Sequence, residues 1–198
     1  MCIRDSLRDY RERLGIRPAD FVLLGFGGSR GADKINSVMT EAAKALSGME
    51  GVRVYFITGG THFEKITEEL KAQGIPLSGS NITVMPYADN IHEYLLASDL
   101  VVSRAGALTV SEITACGRAS ILIPSPNVTG NHQYYNAKVV ADAGGAVLIE
   151  EKDLTGEKLI SSILRLRSNK EALNAMSKAS AQLGRTDAAD VIYDHLGL

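Results

Sequence analysis

Ser103-Arg-Ala-Gly-Ala-Leu-Thr-Val-Ser-Glu-Ile113 reads as the end of a buried strand, a turn of small residues and the first turns of a helix. The run before it, Asp99-Leu-Val-Val-Ser103, is short and apolar, as suits a parallel strand covered on both faces. Beyond the turn, Leu108, Val110, Ile113 and Ala115 are expected to pack inward, while Thr109 and Glu112, three residues apart, share one helical face. A helix beginning at Gly106 or Ala107 leaves its first N–H groups unpaired with no bulky side chain in front, so a phosphate can sit on them. Glu112, about one turn further on, would then stand at roughly the distance from a nucleotide's phosphate to its ribose hydroxyls. Strand, small turn and helix also form the ordinary corner of any doubly wound domain. This stretch alone therefore leaves both a nucleotide seat and a plain scaffold corner open.

Upstream, Phe21-Val-Leu-Leu-Gly25 is a buried strand by composition. It runs through Gly27-Gly-Ser-Arg-Gly-Ala32 into a helix patterned by Ile35, Val38, Met39, Ala42 and Leu46. Glycines at 25, 27, 28 and 31 permit close backbone approach, and Ser29 adds a hydroxyl, so a phosphate-facing loop is expected, with a ligand-free turn as the alternative. The loop is neither a Rossmann fingerprint, since Arg30 stands where the third glycine belongs, nor a Walker loop. Val52–Thr58 is the next strand, followed by Gly59-Gly60 and a helix from Phe63 to Gln73. His62 at that junction reads as a surface or capping residue rather than a catalyst. Asn81–Met85 is a third strand, and Tyr87 and Ala88 fall at its carboxyl end. Ligands of open α/β sheets bind along that rim. A short helix over Ile91–Ala97 leads into the central strand.

Downstream, Ala119–Pro124 is a fifth strand, followed by the polar loop Ser125–Asn131 and a helix opening with His132-Gln-Tyr-Tyr-Asn-Ala137. Imidazole and amide groups there can hydrogen-bond sugar hydroxyls or simply cap the helix. Ala146–Glu150 closes the set of strands, helices are expected over Gly156–Leu166 and Lys170–Leu183, and Arg185–Asp190 begins a last one. At the other end Met1–Ser6 has no periodicity, and Leu7–Leu14 is an amphipathic segment stopped by Gly15 and Pro18. Residues 1–18 are thus expected to be a ragged start and interdomain connection, with the ligand-binding domain over 19–198. About six alternations of strand and helix predict an α/β fold, a doubly wound parallel sheet of about six strands. Each polar or glycine-rich segment follows a strand and so falls on one rim, which points to a nucleotide or nucleotide-sugar site.

The chain has 198 residues, enough for one good-sized α/β domain. A net charge of −2 provides no general field for nucleic acid. Hydrophobic content of 45% with 22% charged residues is that of an ordinary globular protein. No run is apolar enough for a bilayer span and no signal peptide is expected, so the expected compartment is the cytoplasm. Cys2 and Cys116 make neither a disulfide framework nor a metal site. No catalytic triad, carboxylate pair or metal-ligand cluster appears in the pattern.

Three segments together, Gly27–Ala32, Ser103–Ile113 and Asn131–Ala137, resemble the MurG family, the GT-B transferases that move N-acetylglucosamine from its UDP donor to lipid I. The match runs from about Leu14 to the carboxyl terminus and covers only the donor-binding half of such an enzyme. The resemblance implies that Glu112 binds the ribose hydroxyls and that Ala107, Leu108 and Thr109 lie on the diphosphate. It counts Arg104 and Gly106, in the turn before them, among the substrate-binding residues, and Ser29 contributes from the first glycine loop. It implies that Tyr87 and Ala88 hold uracil, although Ala88 is smaller than is usual there, and that His132 and Gln133 read the sugar hydroxyls. The implied reaction is inverting and needs neither metal nor cofactor. The resemblance implies that no catalytic residue lies in this chain and that it is inactive alone, because in that family the base, the acceptor site and the membrane-facing patch belong to the amino-terminal half. Expected partners are UDP-N-acetylglucosamine, an acceptor domain in the same or a separate chain and, through that domain, lipid I at the cytoplasmic face of the inner membrane; no nucleic acid is expected. The alternatives are the donor subunit of a two-chain transferase, an epimerase-like domain, or a non-catalytic nucleotide-sugar-binding domain.

Overall fold

The computed structural model describes residues 10–28, 32–77 and 79–185. Six strands alternate with helices: β1 (Phe21–Phe26), α1 (Asp33–Leu46), β2 (Val52–Ile57), α2 (Gly60–Ala72), β3 (Ile82–Met85), α3 (Ile91–Ala97), β4 (Leu100–Ser103), α4 (Ala107–Ala115), β5 (Ala119–Leu122), α5 (His132–Asp142), β6 (Ala146–Leu148), α6 (Gly156–Ser168) and α7 (Lys170–Leu183). Short 3₁₀ turns at Thr129–Asn131 and Glu151–Asp153 precede α5 and follow β6.

The strands form one parallel sheet in the order β3-β2-β1-β4-β5-β6. Every residue of β1, β4 and β5 is buried, whereas the edge strands β3 and β6 are only half covered. This gradient explains why the inner strands are predominantly apolar. Side chains alternate between two cores. Leu23 joins Ile35 and Met39 of α1, Leu70 of α2 and Ile163 of α6 on one face. Val22 and Leu24 join Leu95 of α3, Ile113 of α4 and Val140 of α5 on the other.

From the centre the chain winds outward one way through β2 and β3, then returns to β4 and winds the other way. The strand order therefore reverses between β1 and β4, and Phe26 pairs in register with Ser103. Right-handed crossovers then place α1 and α2 on one face and α4 and α5 on the other, leaving a crevice at the carboxyl ends of β1 and β4.

The first eighteen residues are not all loose from this domain. Residues 10–13 are helical, Gly15 turns the chain at φ 64°, and Ile16 is buried in the second core. Arg11 donates to the Ala97 carbonyl at 3.0 Å and to Asp99 at 2.7 Å, and Asp99 in turn accepts from the Val22 amide at 2.8 Å. At the same amino-terminal rim Asp20 is nearly buried and accepts from Arg17 at 3.0 Å. That hydrogen bond, followed by the Coulombic pull of Arg17 and Arg53, holds its carboxyl below the usual carboxylate range despite burial.

Most expected boundaries hold within three residues. Helix α2 starts at Gly60 rather than Phe63, because Gly59 at φ 80° already turns the chain. Asn81 lies outside β3 and clips the α1–β2 turn, accepting from the Gly48 amide and donating to the Leu46 carbonyl, each at 2.8 Å. The helix expected from Arg185 lies outside the described residues, as does Ser29.

Candidate functional site

The amino end of α4 opens on the crevice. Gly106 caps the helix at φ −62° and ψ 149° with no side-chain capping bond, and the first helical bond runs from the Val110 amide to the Gly106 carbonyl at 2.9 Å. Among the described residues the amides of Ala107, Leu108 and Thr109 meet no acceptor. Three N–H groups at the positive end of a nine-residue helix thus face outward, the arrangement that binds an anion. Among the described residues, a Cβ added at Gly106 would find only the Thr109 Oγ1, at 3.9 Å. Neither the backbone conformation nor packing against the described residues requires glycine there.

Leu108 does not pack inward as its apolar character suggested. It is 82% exposed, and Ala115 is only partly covered. At 100° per residue Val110, Ile113 and Thr114 cluster on the buried side of α4, so Leu108 and Glu112, four residues apart, share the opposite face. Glu112 is exposed on that face. Its carboxylate makes no hydrogen bond or ion pair among the described residues, so its acceptor capacity is unspent.

The glycine loop after β1 is adjacent, since β1 and β4 pair directly. Gly27 and Gly28 follow the strand, Gly28 at φ 96° with no described atom within 4 Å of the position its Cβ would take. Gly25 has a different role from the ligand approach expected of it. It lies inside β1, where an added Cβ would run into the buried Met39 side chain, so its lack of a side chain lets α1 pack on the sheet. Asn36 in the first turn of α1 is buried and donates to the Thr58 carbonyl at 2.9 Å, tying the helix to the end of β2. Its position among Ile35, Val38 and Met39 was the only sequence signal of this tie. His62 meets Asp33 at 2.7 Å and Thr61 at 3.2 Å, bridging the starts of α1 and α2.

Tyr87, 58% exposed, follows β3 and lies against the start of α2, where a Cβ on Gly60 would reach its ring at 3.0 Å. Ala88 is partly buried against the second core. On the other side of the crevice the first turns of α5 carry His132, Gln133 and Asn136. Asn131, at φ 52°, starts this helix in a left-handed conformation that costs a non-glycine residue strain. His132 Nδ1 lies 2.9 Å from the Thr129 carbonyl. A carbonyl only accepts, so the neutral ring carries its proton on Nδ1 and presents Nε2 as an acceptor. Gln133 Oε1 accepts from the Ser125 amide at 3.0 Å, fixing the loop after β5. Asn136 donates to the Ala105 carbonyl at 3.0 Å and joins α5 directly to the turn before α4.

Arg104 is largely buried and its described bonds all go to protein: the Ile123 carbonyl at 3.3 Å, the Pro124 carbonyl at 3.2 Å and the Glu151 carboxylate. The structure therefore brings Gly106, Ala107, Leu108, Thr109 and Glu112 together on one helix end, with the Asn136 tie connecting them to the α5 turn, while Tyr87 and Ala88 stand after β3 on the same rim. A cavity of about 520 Å³ between Asp20, Asp99 and Lys170 lies at the opposite, amino-terminal rim and contains none of the candidate residues.

A family model described as the glycosyltransferase family 28 C-terminal domain matches residues 22–192. A protein of Desulforamulus reducens named UDP-N-acetylglucosamine--N-acetylmuramyl-(pentapeptide) pyrophosphoryl-undecaprenol N-acetylglucosamine transferase is 46% identical over 183 residues, 91% of this chain and 49% of that protein. A Bacillus cereus protein with the same name, numbered 1, is 45% identical over 177 residues, 89% of this chain and 47% of its own length. The chain spans about half the length of the curated relatives it matches. The crystal structure of Acinetobacter baumannii MurG superposes with a TM-score of 0.79 at 28% identity, covering 96% of this chain and 52% of that one. WaaG, a glycosyltransferase of lipopolysaccharide biosynthesis, superposes at 0.66 with 18% identity, a likeness of fold alone, covering 97% of this chain and 50% of that one.

Proposed function

The chain belongs to the family of glycosyltransferase family 28 C-terminal domains, and on that premise we propose that it binds UDP-N-acetylglucosamine as the donor-binding part of an enzyme converting lipid I to lipid II. The observation that carries this reading is the helix end at Gly106: three amides aimed outward that meet no acceptor among the described residues, and below them on the same helix an exposed carboxylate that likewise has no described partner. It lies at the reversal of strand order, in a chain matched over nine-tenths of its length by transferases named for that donor sugar.

In this account the amides of Ala107, Leu108 and Thr109 hold the diphosphate, and Gly106 leaves it room. Glu112 accepts from the ribose hydroxyls. Tyr87 and Ala88 flank uracil, Ser29 adds a hydroxyl to the diphosphate, and His132 Nε2 and Gln133 meet the sugar hydroxyls. The acceptor oxygen attacks the anomeric carbon with inversion as the bond from that carbon to the phosphate oxygen breaks, and UDP departs with its new negative charge. Helix-end amides stabilise that charge without reorganising, and donor binding in this account needs no metal ion. The base that takes the acceptor proton, and the surface that meets lipid I at the cytoplasmic face of the inner membrane, are assigned to an acceptor domain. Among the described residues no helix is long and apolar enough to cross a membrane.

Calorimetric titration with UDP, UDP-N-acetylglucosamine and UDP-glucose tests the reading. The expected order places UDP-N-acetylglucosamine tightest, with EDTA leaving its affinity unchanged. A folded chain that binds none of the three overturns it.

A further inference from the structure

Resting on that reading of the site, we infer that Arg104 serves the donor without touching it: Glu151 holds its guanidinium as a brace that fixes the sugar-reading loop against the diphosphate seat. Arg104 opens the turn that delivers the α4 amides, between the last residue of β4 and Gly106. Its guanidinium spans three elements. One nitrogen donates to the carbonyls of Ile123 and Pro124, just past the end of β5, at 3.3 and 3.2 Å; the other meets Glu151 in the 3₁₀ turn after β6.

Several features make this a brace rather than a surface pair. The side chains of Arg104 and Glu151 are only 14% and 22% exposed, so the charges are shielded from water and costly to separate. The planar fork commits its donors in fixed directions, which lysine cannot reproduce. The segment it grips, Ile123-Pro124, runs straight into Ser125, whose amide is held by Gln133. Moving Arg104 therefore moves the loop against which the first turn of α5 is set, while the amides of α4 keep the second attachment supplied by Asn136. A brace of this kind acts on the increment that the sugar adds to binding. A direct ligand of the diphosphate would act on UDP itself.

The test measures UDP and UDP-N-acetylglucosamine affinities of the full chain with wild-type sequence, Glu151→Gln, Arg104→Lys and the double variant, alongside thermal melts and the salt dependence of UDP binding. The expected result is a loss of about fivefold for the UDP-sugar in each single variant, with UDP within about twofold and its salt dependence unchanged. The double variant should be no worse than the poorer single one. Loss of UDP affinity in Arg104→Lys that Glu151→Gln does not share would make Arg104 a direct ligand and overturn the inference. A lower melting temperature with both affinities unchanged in the folded protein would also overturn it, reducing the pair to stability alone. A wild-type chain that binds neither compound would overturn the underlying reading of the site, a failure distinguishable from either of these.

Discussion

Asn136 of α5 donates to the carbonyl of Ala105 at 3.0 Å, so the helix bearing His132 and Gln133 is anchored to the turn that presents the amides of α4. A diphosphate bound on those amides and a sugar continuing from it would lie across this joint. The placement of the two segments follows from the sheet. β4 and β5 are neighbours, and the loops leaving their carboxyl ends have no strand between them.

Glu112 is exposed and its carboxylate makes no bond to the described residues, so removing it should leave stability nearly unchanged. Glu112→Ala is expected to weaken UDP binding by roughly 1–3 kcal/mol, because the ribose hydroxyls lose their acceptor. Calorimetry on the mutant, with its melting curve matched to wild type, checks this. Unchanged affinity would remove the ribose assignment.

Gly106→Ala separates a folding role from a binding one. The backbone at φ −62° suits alanine, and the nearest atom to the new Cβ is 3.9 Å away. Stability should therefore change by less than about 1 kcal/mol. With the diphosphate seated against this turn, as proposed, the added methyl group would crowd it, and UDP affinity should fall by about tenfold. Equal affinity for UDP would show that the phosphate sits elsewhere.

Gly25→Ala should do the opposite. Its Cβ would overlap the buried Met39 side chain, so a stability loss of about 1–3 kcal/mol is expected from overpacking. The affinity of the protein that remains folded should match wild type. Chemical denaturation combined with titration distinguishes this from a ligand-facing role.

Asp20 gives the fold a defined acid sensitivity. Its carboxyl is held below the ordinary range by the Arg17 hydrogen bond. A depressed folded-state value contributes stability that is complete above the unfolded value of about 4 and is lost as pH falls through the lower one. Asp20→Asn should therefore lower the melting temperature at neutral pH, with the difference from wild type shrinking as the medium is acidified below about pH 4. A difference that stays constant across that range would show that the charge is not responsible.

Much of this was legible in the residues themselves. The inner strands are covered on both faces, and apolar runs such as Leu100-Val-Val102 and Phe21-Val-Leu-Leu24 say so directly. The helix start at Gly106 follows from small residues succeeding a strand. Pattern reading failed where a residue type serves two purposes. Leu108 is apolar yet faces solvent, because its place in the helical period, opposite Ile113, outweighs its hydropathy. Gly25 shares its type with Gly28 but has a packing neighbour that only tertiary structure supplies. Ties such as Asn136 to Ala105, or Arg104 to Glu151, join residues 31 and 47 positions apart and leave no periodic trace.

The most direct measurement is a crystal structure of the chain soaked with UDP-N-acetylglucosamine. The account predicts diphosphate oxygens within hydrogen-bonding distance of the amides of Ala107, Leu108 and Thr109, and ribose hydroxyls on the Glu112 carboxylate. Ordered ligand density away from Gly106 and Glu112 would contradict it.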